Sequence, residues 1–190
     1  MSAIALDQAG VFQQNWNLQG HVKDLGDGKS LAEWTDQQFD PSLDWQDVNK
    51  LRDRWKGKLI LKGIVTPEDA QTAAEIGADA IVVSNHGGRQ LDGAPGTIQV
   101  LPEIACKVGG KYEVFADGGF TSGQDVFRAL ASGAQGVLMG RAVLFGLGAG
   151  GQAGVEKVLE FVVHKFETTM GLCGVISVAE IGPHNIYQPA

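Results

Sequence analysis

The sequence predicts an α/β fold of four parallel βα units, half of an eight-stranded (β/α)8, TIM-type barrel, preceded by a loop-rich segment. From residue 41 onward, short apolar runs alternate with helical patterns, and the alternation repeats at a fixed offset. The apolar runs show no apolar–polar alternation, the pattern of strands covered on both faces.

Residues 1–40 are polar, with Gln13-Gln14 and Gly26-Asp27-Gly28 among scattered apolar side chains. They read as a separate loop-rich segment holding one short helix over Leu31–Gln38. Residues 41–190 read as the half-barrel. Its first element is an amphipathic helix, because Leu43, Trp45, Val48, Leu51 and Trp55 recur at near-helical spacing. Strands are predicted at Leu59-Ile60-Leu61, Ala80–Val83, Val114-Phe115-Ala116 and Gly136–Met139. Helices are predicted over Pro67–Ile76, Thr97–Val108, Gly123–Ala131 and, last and longest, Val155–Met170.

The repeat has a sequence signature. Thr66-Pro67-Glu68-Asp69 and Ser122-Gly123-Gln124-Asp125 stand 56 residues apart, and each sets an N-cap hydroxyl three residues before a carboxylate. Ile76-Gly77-Ala78 and Ser132-Gly133-Ala134 share that offset, and Leu61-Lys62-Gly63 falls on Asp117-Gly118-Gly119. Each repeat therefore holds two strands and two helices.

Composition narrows the function. The net charge is −7, which argues against a nucleic-acid partner, since that needs a basic stripe to displace counterions. With 44% hydrophobic and 19% charged residues, the chain is neither a disordered tail nor a coiled coil. The 27 glycines follow no period and so serve turns and close backbone approaches. Cys106 and Cys173 fit neither metal-ligand spacing nor a disulfide framework. No apolar run reaches the roughly 18 residues of a membrane span, no basic-then-apolar leader follows Met1, and Tyr187-Gln188-Pro189-Ala190 is not a peroxisomal address. A cytoplasmic chain without metal is the expectation, with membrane association unsupported.

The unusual residues gather where the predicted strands end, the rim at which parallel barrels carry their active sites. The first strand ends at Lys62-Gly63 and the second runs into Ser84-Asn85-His86-Gly87-Gly88-Arg89-Gln90-Leu91-Asp92. The third ends at Asp117-Gly118-Gly119 and the fourth at Gly140-Arg141. Glycine turns leading into helices can present N–H groups to a phosphate, and Arg141 can add a bidentate contact; alternatively the glycines only permit tight turns. His86 carries the side chain that changes charge nearest neutral pH, beside glycines that leave room for a ligand, and Arg89 offers a fork suited to a carboxylate. His21, His164 and His184 read as structural. An unpaired ammonium on a buried strand is costly, so Lys62 requires an anionic neighbour, either Asp117 or a bound anion.

Ser84-Asn85-His86-Gly87-Gly88-Arg89-Gln90-Leu91-Asp92, together with Ile60-Leu61-Lys62-Gly63-Ile64, Ala116-Asp117-Gly118-Gly119 and Leu138-Met139-Gly140-Arg141, closely resembles the FMN-dependent L-2-hydroxy-acid dehydrogenase/oxidase family. The similarity covers Phe39 to the C-terminus and extends back through Trp16–Gly26, which resembles a long loop of that family. The resemblance implies oxidation of an (S)-2-hydroxy acid, lactate-like, to the 2-oxo acid with FMN as cofactor. It implies His86 as general base and Arg89 as the clamp on the substrate carboxylate. Lys62 would lie by the flavin N1–O2 edge, Ser84 by the ring and Asp117 by the ribityl hydroxyls. Gly118, Gly119, Gly140 and Arg141 would hold the phosphate, with Thr121 beside it. The flavin supplies the redox chemistry and the protein supplies orientation and electrostatics. Around Gly150-Gly151-Gln152-Ala153-Gly154-Val155 the wording is most similar to the family's bacterial lactate enzymes.

The chain departs from the family pattern twice. Thr121 stands where the family usually has a basic residue, which weakens the expected grip on FMN. The family's first half supplies substrate-contacting tyrosines and an aspartate that orients the histidine, and no strand of that half is read before Pro41. A half-barrel leaves strand edges and helix flanks uncovered, so the chain is expected to be unstable alone, or to pair with a second copy or with a separate N-terminal half. Two other readings stay open: an inactive fragment or subunit that needs that half, and a phosphate-binding nucleotide dehydrogenase. The latter wants a nucleophilic cysteine in a Gly/Ser-rich loop, which neither Cys106 nor Cys173 provides.

Overall fold

The computed structural model describes residue 40 and residues 42–110 and 112–187. The predicted loop-rich segment over residues 1–39, its helix at Leu31–Gln38 and the loop similarity at Trp16–Gly26 lie outside the described residues. The chain divides into a unit Met1–Asp44 and a unit Trp45–Ala190.

The second unit is a parallel four-stranded sheet in the order β1 (Ile60–Ile64), β2 (Ala80–Ser84), β3 (Glu113–Asp117), β4 (Gly136–Leu138). Helices α2 (Pro67–Ile76), α3 (Thr97–Val108) and α4 (Gly123–Ala131) connect the strands, α1 (Trp45–Arg54) precedes them and α5 (Arg141–Leu172) follows. The caps start these helices where the sequence says. Thr66 Oγ1 accepts the Asp69 amide at 3.2 Å, with Pro67 preset for the first turn. Ser122 and Asp125 satisfy each other's amides as a capping box. Gly77, with φ +87°, closes α2 in a left-handed conformation that costs glycine little.

Because side chains alternate across a strand, each strand feeds two layers. Ile81, Val83, Val114 and Ala116 point to the helices and form the core with Ala70, Ala73, Leu101, Ile104 and Ala129. At about 1.5–3 kcal/mol for each large aliphatic side chain taken out of water, this layer holds the sheet to its helices. The opposite face carries Ile60, Lys62, Val82, Ser84, Phe115, Asp117 and Leu138.

Two elements differ from expectation. Arg141–Leu172 is helical on both sides of a break at Gly150 and Gly151, where Gly151 has φ +58°; the part after the break contains the predicted Val155–Met170, and the part before it, from Arg141, was not expected. Glycines around this break allow contact between main chains: a Cβ on Gly154 would lie 1.9 Å from the Gly146 carbonyl oxygen. Helix α1 forms, yet none of its residues is buried, and Leu51 and Trp55 of its apolar stripe remain about half exposed at 51% and 53%. Trp45 packs against the core, and polar bonds add to that anchor. Arg52 donates to Asp79 at 3.2 Å and to the carbonyls of Trp55 and Gly57, while Asp79 also accepts Lys58 Nζ at 2.7 Å and the Leu59 amide at 2.8 Å.

Candidate active site

The C-terminal ends of the strands open into a cleft of about 550 Å³ lined by Lys62, His86, Arg89, Asp117, Gly118, Gly119, Thr121, Gly140 and Arg141. The structure thus gathers every site residue expected from sequence except Ser84, which lies beneath the cleft with 1% of its surface exposed. A second recess of about 360 Å³ adjoins it and shares Gly87, Gly118, Gly119, Phe120 and Arg141.

Ser84 organises the floor. Its hydroxyl donates to Asp117 Oδ2 at 2.8 Å and accepts Lys62 Nζ at 3.2 Å and the His86 amide at 3.0 Å. One donor and two acceptors are thereby satisfied. Lys62 Nζ also lies 2.7 Å from Asp117 Oδ2, so the anionic neighbour that a strand lysine requires is Asp117. Burial pushes the Asp117 carboxyl up, but Lys62, the Ser84 hydroxyl and the Gly118 amide outweigh burial and hold it below the usual carboxylate range.

After β2 the chain turns sharply. Asn85 Oδ1 accepts the Gly87 amide at 2.9 Å and Asn85 Nδ2 donates to the Pro95 carbonyl at 3.2 Å. Between them His86 sits at φ +55°, the one non-glycine residue in the left-handed region among the described residues. Such a conformation persists where surrounding bonds over-determine it, and here they aim the imidazole back over β1. A Cβ on Gly63 would come within 2.8 Å of His86 Cε1, so the glycine at the end of β1 makes room for the ring.

The glycine turns have distinct tasks. Gly118, at φ +107°, is hemmed in by Asn85 Oδ1 and Thr97 Oγ1, 2.9 and 3.1 Å from where a Cβ would stand; Thr97 Oγ1 itself donates to the Asp117 carbonyl at 2.7 Å. Gly119, at φ +86°, has nothing within 4 Å of that point and faces open space. The Arg141 guanidinium approaches Gly87 from the other side of the recess, 3.1 Å from its ideal Cβ. Thr121 Oγ1 donates to Asp125 Oδ2 at 3.3 Å, and the same oxygen accepts the amides of Thr121 and Ser122.

Several cleft residues were not expected from sequence. Leu144 and Phe145, 63% and 74% exposed, line its apolar side from the first turn of α5, a helix whose start the glycine run had hidden. Asn85 lies inside the quoted motif, and its Asn-Gly spacing was the available turn signal. Both cysteines are free and exposed, and among the described residues no helix is long and apolar enough to cross a membrane.

A sequence profile described as FMN-dependent dehydrogenase matches residues 3–188. An L-lactate dehydrogenase of Caulobacter vibrioides is 52% identical over 175 residues, covering 90% of this chain and 46% of that protein. An L-lactate dehydrogenase of Allorhizobium ampelinum is 50% identical over 155 residues, covering 82% of this chain and 41% of that protein. A crystal structure of mandelate oxidase with benzoyl-formic acid superimposes with a TM-score of 0.69 at 47% identity, covering 72% of this chain and 41% of that one. The chain spans less than half the length of these relatives. The four βα units match part of the mandelate oxidase barrel.

Proposed function

Because the chain belongs to the FMN-dependent dehydrogenase family, we propose that residues 41–190 form the half of a flavin enzyme barrel that carries the cofactor's phosphate site and the acid–base residue for oxidising a small (S)-2-hydroxy acid of the lactate type. The observation that carries this reading is the shared cleft: an imidazole, a guanidinium fork and an ammonium face the same space as two left-handed glycine turns.

The donor set fits FMN. Gly119 opens onto unobstructed space where a phosphate can approach main-chain amides, and Arg141 stands at the same recess to pair with it. Gly118 belongs to that turn, and Gly140, at the start of α5, lines the same cleft. Lys62 has two of its three N–H groups engaged by Asp117 and Ser84, leaving one for an electronegative edge of the ring. FMN, when bound, supplies the two-electron acceptor for the conversion of hydroxy acid to oxo acid.

The chain's own residues supply the rest. Arg89 holds the substrate carboxylate through a charge-assisted fork, which fixes the carbon bearing the hydroxyl. His86 takes up a substrate proton through a ring nitrogen, its ring held against Gly63 by the strained turn. Asp117, charged throughout the neutral range, fixes the Lys62 ammonium, and Ser84 ties that pair to the His86 amide. Ser84 therefore acts on the site through Lys62, Asp117 and His86.

The test is flavin absorbance. Chain purified with FMN is expected to be yellow and to bleach anaerobically on addition of L-lactate, glycolate or mandelate. Colourless protein that does not quench FMN fluorescence would overturn the cofactor assignment. Yellow protein that no hydroxy acid bleaches would favour the reading as a subunit needing residues from a further half, which the lengths of the relatives support.

A further inference from the structure

The recess of about 360 Å³ beside the cleft has a charge balance that its glycine turns and Arg141 do not explain. Its charged lining side chains are Asp125, Arg128 and Arg141. Burial pushes the Asp125 carboxyl up, but the bonds from Thr121 and Ser122 outweigh burial and hold it below the usual carboxylate range, so it is charged at neutral pH. Asp125 and Arg141 alone would leave the recess neutral, in a chain whose net charge is −7. Arg128 is what makes the lining positive.

The Arg128 guanidinium is also uncommitted. Asp125 Oδ2 accepts the amides and hydroxyls of Thr121 and Ser122 at 3.0 to 3.3 Å. Asp125 Oδ1 is left for Arg128, and at 3.7 Å their ion pair is too long for a hydrogen bond. Among the described residues Arg128 makes no hydrogen bond, so its five N–H donors remain for a ligand. Gly119 opens onto the same recess with nothing within 4 Å of its ideal Cβ. We propose that Arg128 is a second phosphate-binding residue, which pairs together with Arg141 with the oxygens of a terminal phosphate set against the Gly118-Gly119 amides. Two guanidinium forks suit a monoester, with about two negative charges and three acceptor oxygens, better than a diester, which has less charge and fewer free oxygens. That this monoester is the tail of FMN rests on the proposed flavin chemistry; the preference of the recess for a doubly charged phosphate does not.

Arg128→Gln and Arg128→Lys test this in the full chain, with Arg54→Gln on α1, outside both recess and cleft, as the control for net charge. The Arg128 side chain is 61% exposed, so these substitutions leave the packed core untouched. By fluorescence quenching, Arg128→Gln is expected to weaken FMN binding about tenfold, while riboflavin, the same ring system without phosphate, binds as before. Arg128→Lys is expected to fall between parent and Arg128→Gln, since it keeps the charge and loses the fork. Arg54→Gln is expected to bind both flavins like the parent. Inorganic phosphate gives a readout without flavin: it is expected to shift the amide NMR signals of Gly118 and Gly119, with an affinity that Arg128→Gln lowers. An unchanged FMN affinity in Arg128→Gln, equal losses for FMN and riboflavin, or the same loss in Arg54→Gln would each overturn the proposal. Should neither flavin bind, the phosphate titration decides. Shifts weakened by Arg128→Gln then uphold the second phosphate ligand while the flavin reading falls, and shifts indifferent to Arg128, or no shifts, overturn it.

Discussion

Lys62 and Asp117 stand at equivalent points of the two repeats, each level with its β2 or β4 neighbour Val82 or Leu138, and they hold each other at 2.7 Å. The same site in the duplicated unit carries a cation once and an anion once, and the pair ties the ends of β1 and β3 across β2. Lys62→Met removes the cation but leaves Asp117 its bonds to Ser84 and Gly118. With the Lys62 side chain 40% exposed, the expected loss of stability is about 1 kcal/mol or less, read by urea unfolding. FMN affinity, read by fluorescence quenching, is expected to fall by a larger factor than the stability, about tenfold or more.

His86→Asn tests the acid–base assignment. Asparagine tolerates a positive φ, so the turn is expected to persist and flavin binding to stay unchanged. Anaerobic flavin reduction by L-lactate, followed by stopped-flow absorbance, is expected to slow by roughly 10²–10⁴-fold. Gly63→Ala is expected to give a smaller slowing with the histidine still present, because its Cβ would displace the imidazole now 2.8 Å away.

Gly118→Ala and Gly88→Ala separate crowding from backbone strain. Both glycines have positive φ, +107° and +71°, so either alanine bears strain of about 1–2 kcal/mol. Only at Gly118 would the new methyl also meet Asn85 Oδ1 and Thr97 Oγ1, whereas at Gly88 nothing lies within 4 Å. Gly118→Ala is expected to be the more destabilising in thermal unfolding, and to weaken FMN binding as the recess deforms.

Stability should fall in acid. The bonds from Lys58 and the Leu59 amide lower the pKa of Asp79. Asp117 and Asp125 are pushed up by burial but lowered further by their hydrogen-bond donors. In each case the folded value lies below the roughly 3.9 of an unfolded aspartate, so the unfolded chain takes up protons first as pH falls. The contribution is present in full well above that value and is lost as pH drops through the folded values. Urea midpoints are expected to be level from pH 7 to about pH 5 and to decline below, with Asp79→Asn showing a shallower decline.

Much of this fold was legible because its signals are local. The helices Pro67–Ile76, Thr97–Val108 and Gly123–Ala131 have the predicted bounds, since hydroxyl caps and left-handed glycines act within one turn. The cleft residues were legible because strand ends in a parallel sheet converge on one rim. What was hidden depends on long-range geometry. The start of α5 was missed because glycines that serve a contact between helices look the same as glycines in a loop. The sequence repeat aligned Lys62 with Gly118, whereas the register aligns it with Asp117. The slip arises between strand and helix, where four residues lead from Lys62 to Thr66 but five from Asp117 to Ser122. That Ser84 is buried under the cleft with its hydroxyl saturated follows from three partners, two of them brought in from other strands.

At Gly123 the first turn of α4 meets α5 with no side chain between them: a Cβ there would fall 2.0 Å from the Phe166 nitrogen and 2.4 Å from the Val162 oxygen. The spacing of these two helix axes is therefore set by peptide atoms, whose dimensions do not vary with sequence. Neighbouring positions can trade one side chain for another and the axes will not drift, but any residue larger than hydrogen at this point has no compensating swap. The position acts as a hinge pin, and the Gly118-Gly119 turn just before it inherits that fixed placement.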